Sequence, residues 1–417
     1  MNNEIKIKNI IIYLAIIIIS FITADIFFNP EINFKTNFFH NLMHKILIYE
    51  DIAPQRLFVK AWRITKNEYI DSSLNGQNWA KWRLRYFRHI KTIDDANVAI
   101  NSMLASLNDP YTKFMKSNSF KKQKIILDSQ ITGVGILFYK AGEDVIINHV
   151  IANSPAQNAN IYTGDYIISI NGKEVKNLET DEIAELINIS KDTVDLVIKR
   201  KNEIIKKTLI KKVIPIKTMN YVITKDNIGI IYLSNIMGKR AANDFDGIIK
   251  GTNNTNGIII DLRNNYGGII ANAMQMANLM LTNEMILSIK SRNGDEYQIY
   301  ADNEKIFKDK PVVILIDRNT ASAAEVLAGT LRNNINAILI GEKSFGKSSI
   351  QQVIPMQNGT GLIITSNKYI LPDGKDINNK GLIPDITVNK KSTKNNSEDI
   401  QLQEAVKLIQ KIVKNEK

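Results

Sequence analysis

Ser322 opens the alanine-rich stretch Thr320-Ala321-Ser322-Ala323-Ala324-Glu325, and Lys347 follows 25 residues later at the end of Gly341-Glu342-Lys343-Ser344-Phe345-Gly346-Lys347. All four histidines, His40, His44, His89 and His149, lie in the first half of the chain. A serine nucleophile at 322 therefore has no histidine base nearby in sequence, and a lysine is the candidate for that work. A free lysine titrates near ~10.4, so a lysine base needs an apolar pocket that favours its neutral amine. Gln351, four residues on, can hydrogen-bond that amine without adding a charge. A glutamate there would raise the lysine's pKa and defeat the purpose.

The apolar run Val312–Ile316 and the turn Asp317-Arg318-Asn319-Thr320 place Ser322 at a strand-to-helix junction. Free amides at a helix start, Ala323 first among them, can hold a developing oxyanion. Taken alone, such a serine reads as a helix cap, which is far commoner. Asp261-Leu262-Arg263-Asn264-Asn265-Tyr266-Gly267-Gly268 follows another apolar run, and its double glycine allows close backbone approach. That loop can supply a second oxyanion donor, while Asp261 and Arg263 read as a structural pair. The loop Gly133-Val134-Gly135 can either capture a carboxylate with its amides or merely start a strand.

Three textures must position these groups. From Pro54 to about Phe120 the pattern is helical, with Leu57, Trp62, Ile64 and Tyr69 in one segment and Ala96, Ile100, Met103, Leu104 and Leu107 in another. Thr92, Asp94 and Asp95 open the second helix, and it closes before Pro110. From Ile131 to about Lys211, short β-branched runs alternate with turn residues such as Asn171-Gly172, and a helix is expected from Thr180 to Ile187. After about Thr218, strands and helices alternate as in an α/β domain, with a helix expected from Ala321 to Arg332. Residues 388–397 are polar and lysine-rich, and Asp399 to Val413 reads as a closing amphipathic helix.

Composition narrows the classes further. A chain of 417 residues with 44% hydrophobic and 23% charged residues can bury two or three real cores. The net charge of +12 is scattered among acids rather than gathered in a nucleic-acid-binding motif. Absence of cysteine excludes disulfides, a thiol nucleophile and thiolate metal sites. Lys6 and Lys8 precede an apolar run from Ile10 to Ala24, extending to Phe28, which reads as an export signal that is either cleaved or kept as an anchor. The positive-inside rule then places the body across the membrane from the cytoplasm.

Together Gly133-Val134-Gly135-Ile136, Ser154-Pro155-Ala156, Gly164-Asp165, Ile170-Asn171-Gly172, the Asp261–Gly268 segment, Thr320–Glu325 and Gly341–Lys347 resemble the carboxyl-terminal processing proteases, also called tail-specific proteases. Met103–Thr112, Pro372–Asn378 and Gly381–Asp385 resemble their cyanobacterial and chloroplast branch. The resemblance implies a multidomain α+β protein: a signal segment over 1–28, a helical N-terminal domain over 29–126, a PDZ β-barrel-like domain over 127–213, a crotonase- or ClpP-like α/β catalytic core over 214–390, and a linker and C-terminal helix over 391–417. It implies Ser322 as nucleophile, Lys347 as general base and Gln351 as the residue orienting it. Ala323 and one of Gly267 and Gly268 would form the oxyanion hole, and Gly133, Val134, Gly135 and Ile136 would bind a substrate's C-terminal carboxylate. No metal or cofactor is implied, and the expected partners are proteins with free C-termini in a periplasm- or thylakoid-lumen-like compartment.

Three positions depart from the family pattern. Tyr266 stands in place of proline, Ser348 in place of the glycine after the lysine, and Asn160 in place of a glycine in a PDZ turn. None removes a reacting group. The rival expectation is a PDZ scaffold or chaperone on an inactive core; an acyl-CoA enzyme of related fold fits poorly with the export signal.

Overall fold

The computed structural model describes residues 54–415 apart from 129, 216, 303–306 and 390–398. The expected signal segment 1–28 and most of the lysine-rich stretch 388–397 lie outside the described residues.

Every residue of the strands Gly257–Asp261 and Val312–Ile316 is buried, a pattern that demands cover on both faces of the sheet. They lie in parallel at the centre of a six-stranded sheet ordered Met219–Ile223, Ile228–Leu233, Gly257–Asp261, Val312–Ile316, Ile338–Gly341 and Ile386–Thr387. The pair formed by the first two strands is antiparallel and the rest run parallel. Helices Ala241–Thr252, Ile270–Asn278 and Ala323–Ile335 pack one face through Phe245, Met276 and Leu327. The C-terminal helix Ile400–Asn415 seals the other through Ala405 and Ile409. In such sheets the loops after the C-terminal ends of parallel strands form the binding crevice. Here those loops carry Asn265–Gly268, Ser322 and Ser344–Lys347.

A second, antiparallel sheet joins Lys113–Met115, Gly361–Ile370, Met285–Lys290 and Glu296–Tyr300, with Ser349–Pro355 also pairing along Gly361–Ile370. Helices Pro54–Glu68 and Ile93–Ala105 pack against it, placing Phe58, Ile100 and Met103 in one core with Leu362 and Ile364. Thr92 caps the second helix as its sequence predicts, accepting from Asp95 N at 3.1 Å while Asp95 accepts from Thr92 N at 2.8 Å. The expectation of helix throughout 54–120 needs correction, because Lys113–Met115 is a strand whose register is set by its partner at 361–363. At the far end of the sheet, the Arg292 guanidinium donates to the carbonyls of Tyr69 and Asp71, tying a hairpin turn to the helical region.

A third unit has strands Ile136–Ala141, Asp144–Val150, Tyr166–Ile170, Thr193–Arg200 and Glu203–Ile210 around Val145, Ile147, Ile170, Ile183 and Leu196. Its helix Thr180–Ile189 runs two residues beyond the expected end at Ile187, and Glu182 in its first turn accepts from Glu179 N at 2.8 Å. A two-stranded ribbon, Gln130–Gly133 with Lys212–Pro215, leads in and out of it. Both chain connections of this unit thus pass through one narrow strap.

Candidate active site

The helix expected from Ala321 begins at Ala323, because the preceding residues are held in a tight turn. Thr320 Oγ1 donates to Leu262 O at 2.8 Å and accepts from Asp317 N at 2.9 Å, while Thr320 N donates to Asp317 O at 2.9 Å. Ser322 is then the residue before the helix, with φ 56° and ψ −120°. An ordinary capping serine has extended backbone at negative φ. The observed conformation costs a non-glycine residue about 1–3 kcal/mol, and capping does not require it. A strained strand-to-helix turn is instead what lifts a serine hydroxyl clear of its surroundings.

Glu325, one turn into the helix and fully buried, joins this turn to the loop carrying Lys347. Its Oε2 accepts from Ser322 N at 2.8 Å and Lys347 N at 2.9 Å, and its Oε1 accepts from Ser344 Oγ at 2.5 Å and Gly346 N at 2.7 Å. Gly346 has φ 88°, and a Cβ there would stand 2.5 Å from Gly381 N, so only glycine lets the loop pass. Tyr369 closes the frame from the second sheet. Its buried hydroxyl lies 2.9 Å from Lys347 O and 3.3 Å from Ser322 O, and can donate to either. Neither Glu325 nor Tyr369 had a role assigned from sequence, although Ser-x-x-Glu at 322–325 carries the capping-box pattern that marks the first.

The Asn265–Gly268 loop reaches the same turn from the neighbouring strand. Ala321 N donates to Asn265 O at 3.0 Å, and a Cβ on Gly267 would meet Ala321 O at 2.5 Å and Ala323 N at 2.9 Å. Buried Asn265 shapes the loop, donating to Leu233 O and accepting from Gly267 N, each at 2.8 Å. The glycine pair therefore divides its work. Gly267 has its amide occupied and supplies close approach, while Gly268 N and Ala323 N donate to no atom among the described residues. Asp261 and Arg263 form the structural pair expected from sequence, and Arg263 also grips Asp399 before the C-terminal helix.

Lys347 is half-buried. Burial pushes its amine below the ordinary lysine value, with Asp109 opposing the shift, Lys113 adding to it and Glu325 opposing it. The amine stands 4.5 Å from the centre of the Tyr111 ring and forms no hydrogen bond with Ser322 in this structure. The amide of Gln351, the residue expected to orient the lysine, donates to Ser349 Oγ at 2.9 Å and Thr365 Oγ1 at 3.2 Å. Gln351 faces Thr365 across the antiparallel pair, and a register shift lies between Ile350 and Gln351.

In the third unit, Gly133 ends a ribbon strand, Gly135 turns the chain at φ 83°, and Val134 and Ile136 are buried. The carbonyls of Val134 and Gly135 accept from Ala156 N and Ile151 N, both at 2.9 Å, which pins the loop from inside. Asn160 adopts φ 59°, a left-handed turn that asparagine tolerates in glycine's place. Ser348 is buried and donates to Asp376 Oδ1 at 3.2 Å, whereas Tyr266 is 71% exposed beside the glycine pair. Among the described residues no group of three or more His, Asp or Glu side chains could hold a metal.

A model of peptidase family S41 matches residues 227–388, and a PDZ domain model matches residues 128–199. A carboxyl-terminal-processing protease of Picosynechococcus sp. is 31% identical over 386 residues, spanning 88% of this chain and 91% of the relative. Carboxy-terminal processing protease CtpA of Bacillus subtilis is 32% identical over 335 residues, spanning 76% and 69%. Among solved structures, a photosystem II D1 C-terminal processing protease aligns with a TM-score of 0.54 at 27% identity, over 81% of this chain and 93% of that one.

Proposed function

Because the chain belongs to the carboxyl-terminal-processing serine proteases of peptidase family S41, we propose that it is an exported endopeptidase in which Lys347 deprotonates Ser322 for attack near the C-terminus of protein substrates. The observation that carries this reading is the backbone of Ser322, held at φ 56° against Gly267, with the amides of Ala323 and Gly268 uncommitted among the described residues. Attack places negative charge on the former carbonyl oxygen, and those two amides are the donors for it. Lys347 returns its proton to the leaving amine, and water then releases the acyl group from Ser322. Gln351, in the strand Ser349–Pro355 that follows the lysine's loop, is the residue that orients the amine. The apolar N-terminal segment supplies export, as a cleaved signal or as an anchor.

The acid limb of kcat/KM reports the proton on Lys347. Its pKa is lowered, so the neutral, active amine is already populated below the range of an ordinary lysine, and activity should rise with pH through an apparent pKa below ~10.4. Activity rising only through the ordinary lysine range would contradict a buried base.

The Gly133–Ile136 loop is the proposed receptor for a substrate's terminal carboxylate. A peptide with a free C-terminus should be cleaved with kcat/KM roughly tenfold or more above its C-terminal amide, the scale of one lost charge-assisted contact. Equal turnover of acid and amide would overturn carboxylate capture by this loop.

A further inference from the structure

The Lys347 amine has a neighbour that comes from neither the nucleophile helix nor its own loop. Tyr111 sits in the loop Asp109–Thr112, between helix Ile93–Ala105 and strand Lys113–Met115, and its half-buried ring lies 4.5 Å from Lys347 Nζ. The loop is rigid for local reasons: Asp109 accepts from Tyr111 N at 2.9 Å and from Thr112 Oγ1 at 2.7 Å. It is also fastened to the second sheet. Thr112 Oγ1 accepts from Thr365 N at 3.0 Å, and Thr365 Oγ1 accepts from Gln351. One chain of contacts thus seats Tyr111, from the helical region, against the strand pair that follows Lys347.

We propose that Tyr111 is a positioning residue for the general base, its ring face holding the Lys347 amine beside the Ser322 turn, so that the helical region completes the active site. The proposal rests on the reading of Ser322 and Lys347 as nucleophile and base. A cation is drawn to the face of an aromatic ring, and the contact gains strength as water is excluded. The ring gives the ammonium a place to rest that offers no acceptor lone pair to trap it. A carboxylate at that position would hold the proton instead. The ionisable groups around the amine are Asp109 and Tyr111 from the loop, Lys113 from the adjoining strand and Glu325 from the nucleophile helix, while Tyr369 reaches the Lys347 carbonyl.

If the ring is the working part, its hydroxyl is dispensable. Steady-state kinetics and pH profiles of the full chain are compared for Tyr111→Phe and Tyr111→Leu, with Lys347→Ala as control and Tyr111→Met if the leucine variant folds poorly. Tyr111→Phe is expected to stay within about 2-fold of wild type, because it keeps the π face. Tyr111→Leu keeps apolar bulk without that face, so kcat should fall roughly tenfold, KM should stay within about 2-fold, and the acid limb should move to lower pH as the ammonium loses its support. A Tyr111→Leu enzyme with wild-type kcat and acid limb overturns the proposal, as does a phenylalanine variant as impaired as the leucine one. Should Lys347→Ala still turn over substrate, the base assignment itself fails; a dead Lys347→Ala beside a normal Tyr111→Leu removes only the role of Tyr111.

Discussion

Replacing Ser322 by alanine or by glycine is expected to reduce cleavage of a free-C-terminus peptide by at least ~10³-fold, since each removes the atom that forms the acyl-enzyme. The two variants should part company in stability. Alanine inherits the φ of 56° with the same steric conflict, whereas glycine occupies positive φ freely. Ser322→Gly should therefore resist thermal unfolding better than Ser322→Ala, the released strain being about 1 kcal/mol or more, less the added flexibility of the unfolded chain. A serine kept in a strained conformation that glycine would relax is one retained for its hydroxyl. Equal melting temperatures would show that the turn stores no strain, and turnover near the wild-type rate in either variant would remove Ser322 from the chemistry.

The second large effect belongs to Glu325. It touches no substrate, yet its two oxygens accept from four donors that define the site: the amides of Ser322, Gly346 and Lys347 and the hydroxyl of Ser344. Glu325→Ala leaves these buried groups without their acceptor, at about 1–3 kcal/mol for each that finds no substitute. We expect a loss of about 4 kcal/mol or more in the catalytic unit, together with loss of activity, because the serine turn and the lysine loop are no longer joined. Glu325→Gln keeps one acceptor oxygen and should fall between the two. Thermal unfolding and peptide cleavage measured side by side check this, and a stable, active Glu325→Ala protein would show that Tyr369 and the backbone alone hold the loops together.

Much of this arrangement is legible in the residues themselves. The apolar runs 257–260 and 312–316 announce buried parallel strands, and the turn after the second announces a helix with Ser322 at its start. What sequence leaves ambiguous at Ser322 is whether it caps or reacts, and its backbone angles, which bear on that choice, are not revealed by any composition. Gln351 shows the limit differently. Its spacing from Lys347 suits a contact, but spacing alone does not reveal that its amide also donates to Thr365 across the strand pair. Tyr111 lies further out of reach, because the contact fastening its loop joins residues 253 positions apart. Glu325 was readable as half of a capping box, though not as the anchor of a loop some twenty residues downstream.

The central claim, that Ser322 is a nucleophile activated by Lys347, is tested most directly by intact-protein and peptide mass spectrometry after reaction with a fluorophosphonate. Wild type should carry a single adduct on Ser322, formed faster as pH rises, and Lys347→Met should stay unlabelled over the same interval. An adduct on another residue, or labelling of Lys347→Met at the wild-type rate, would contradict it.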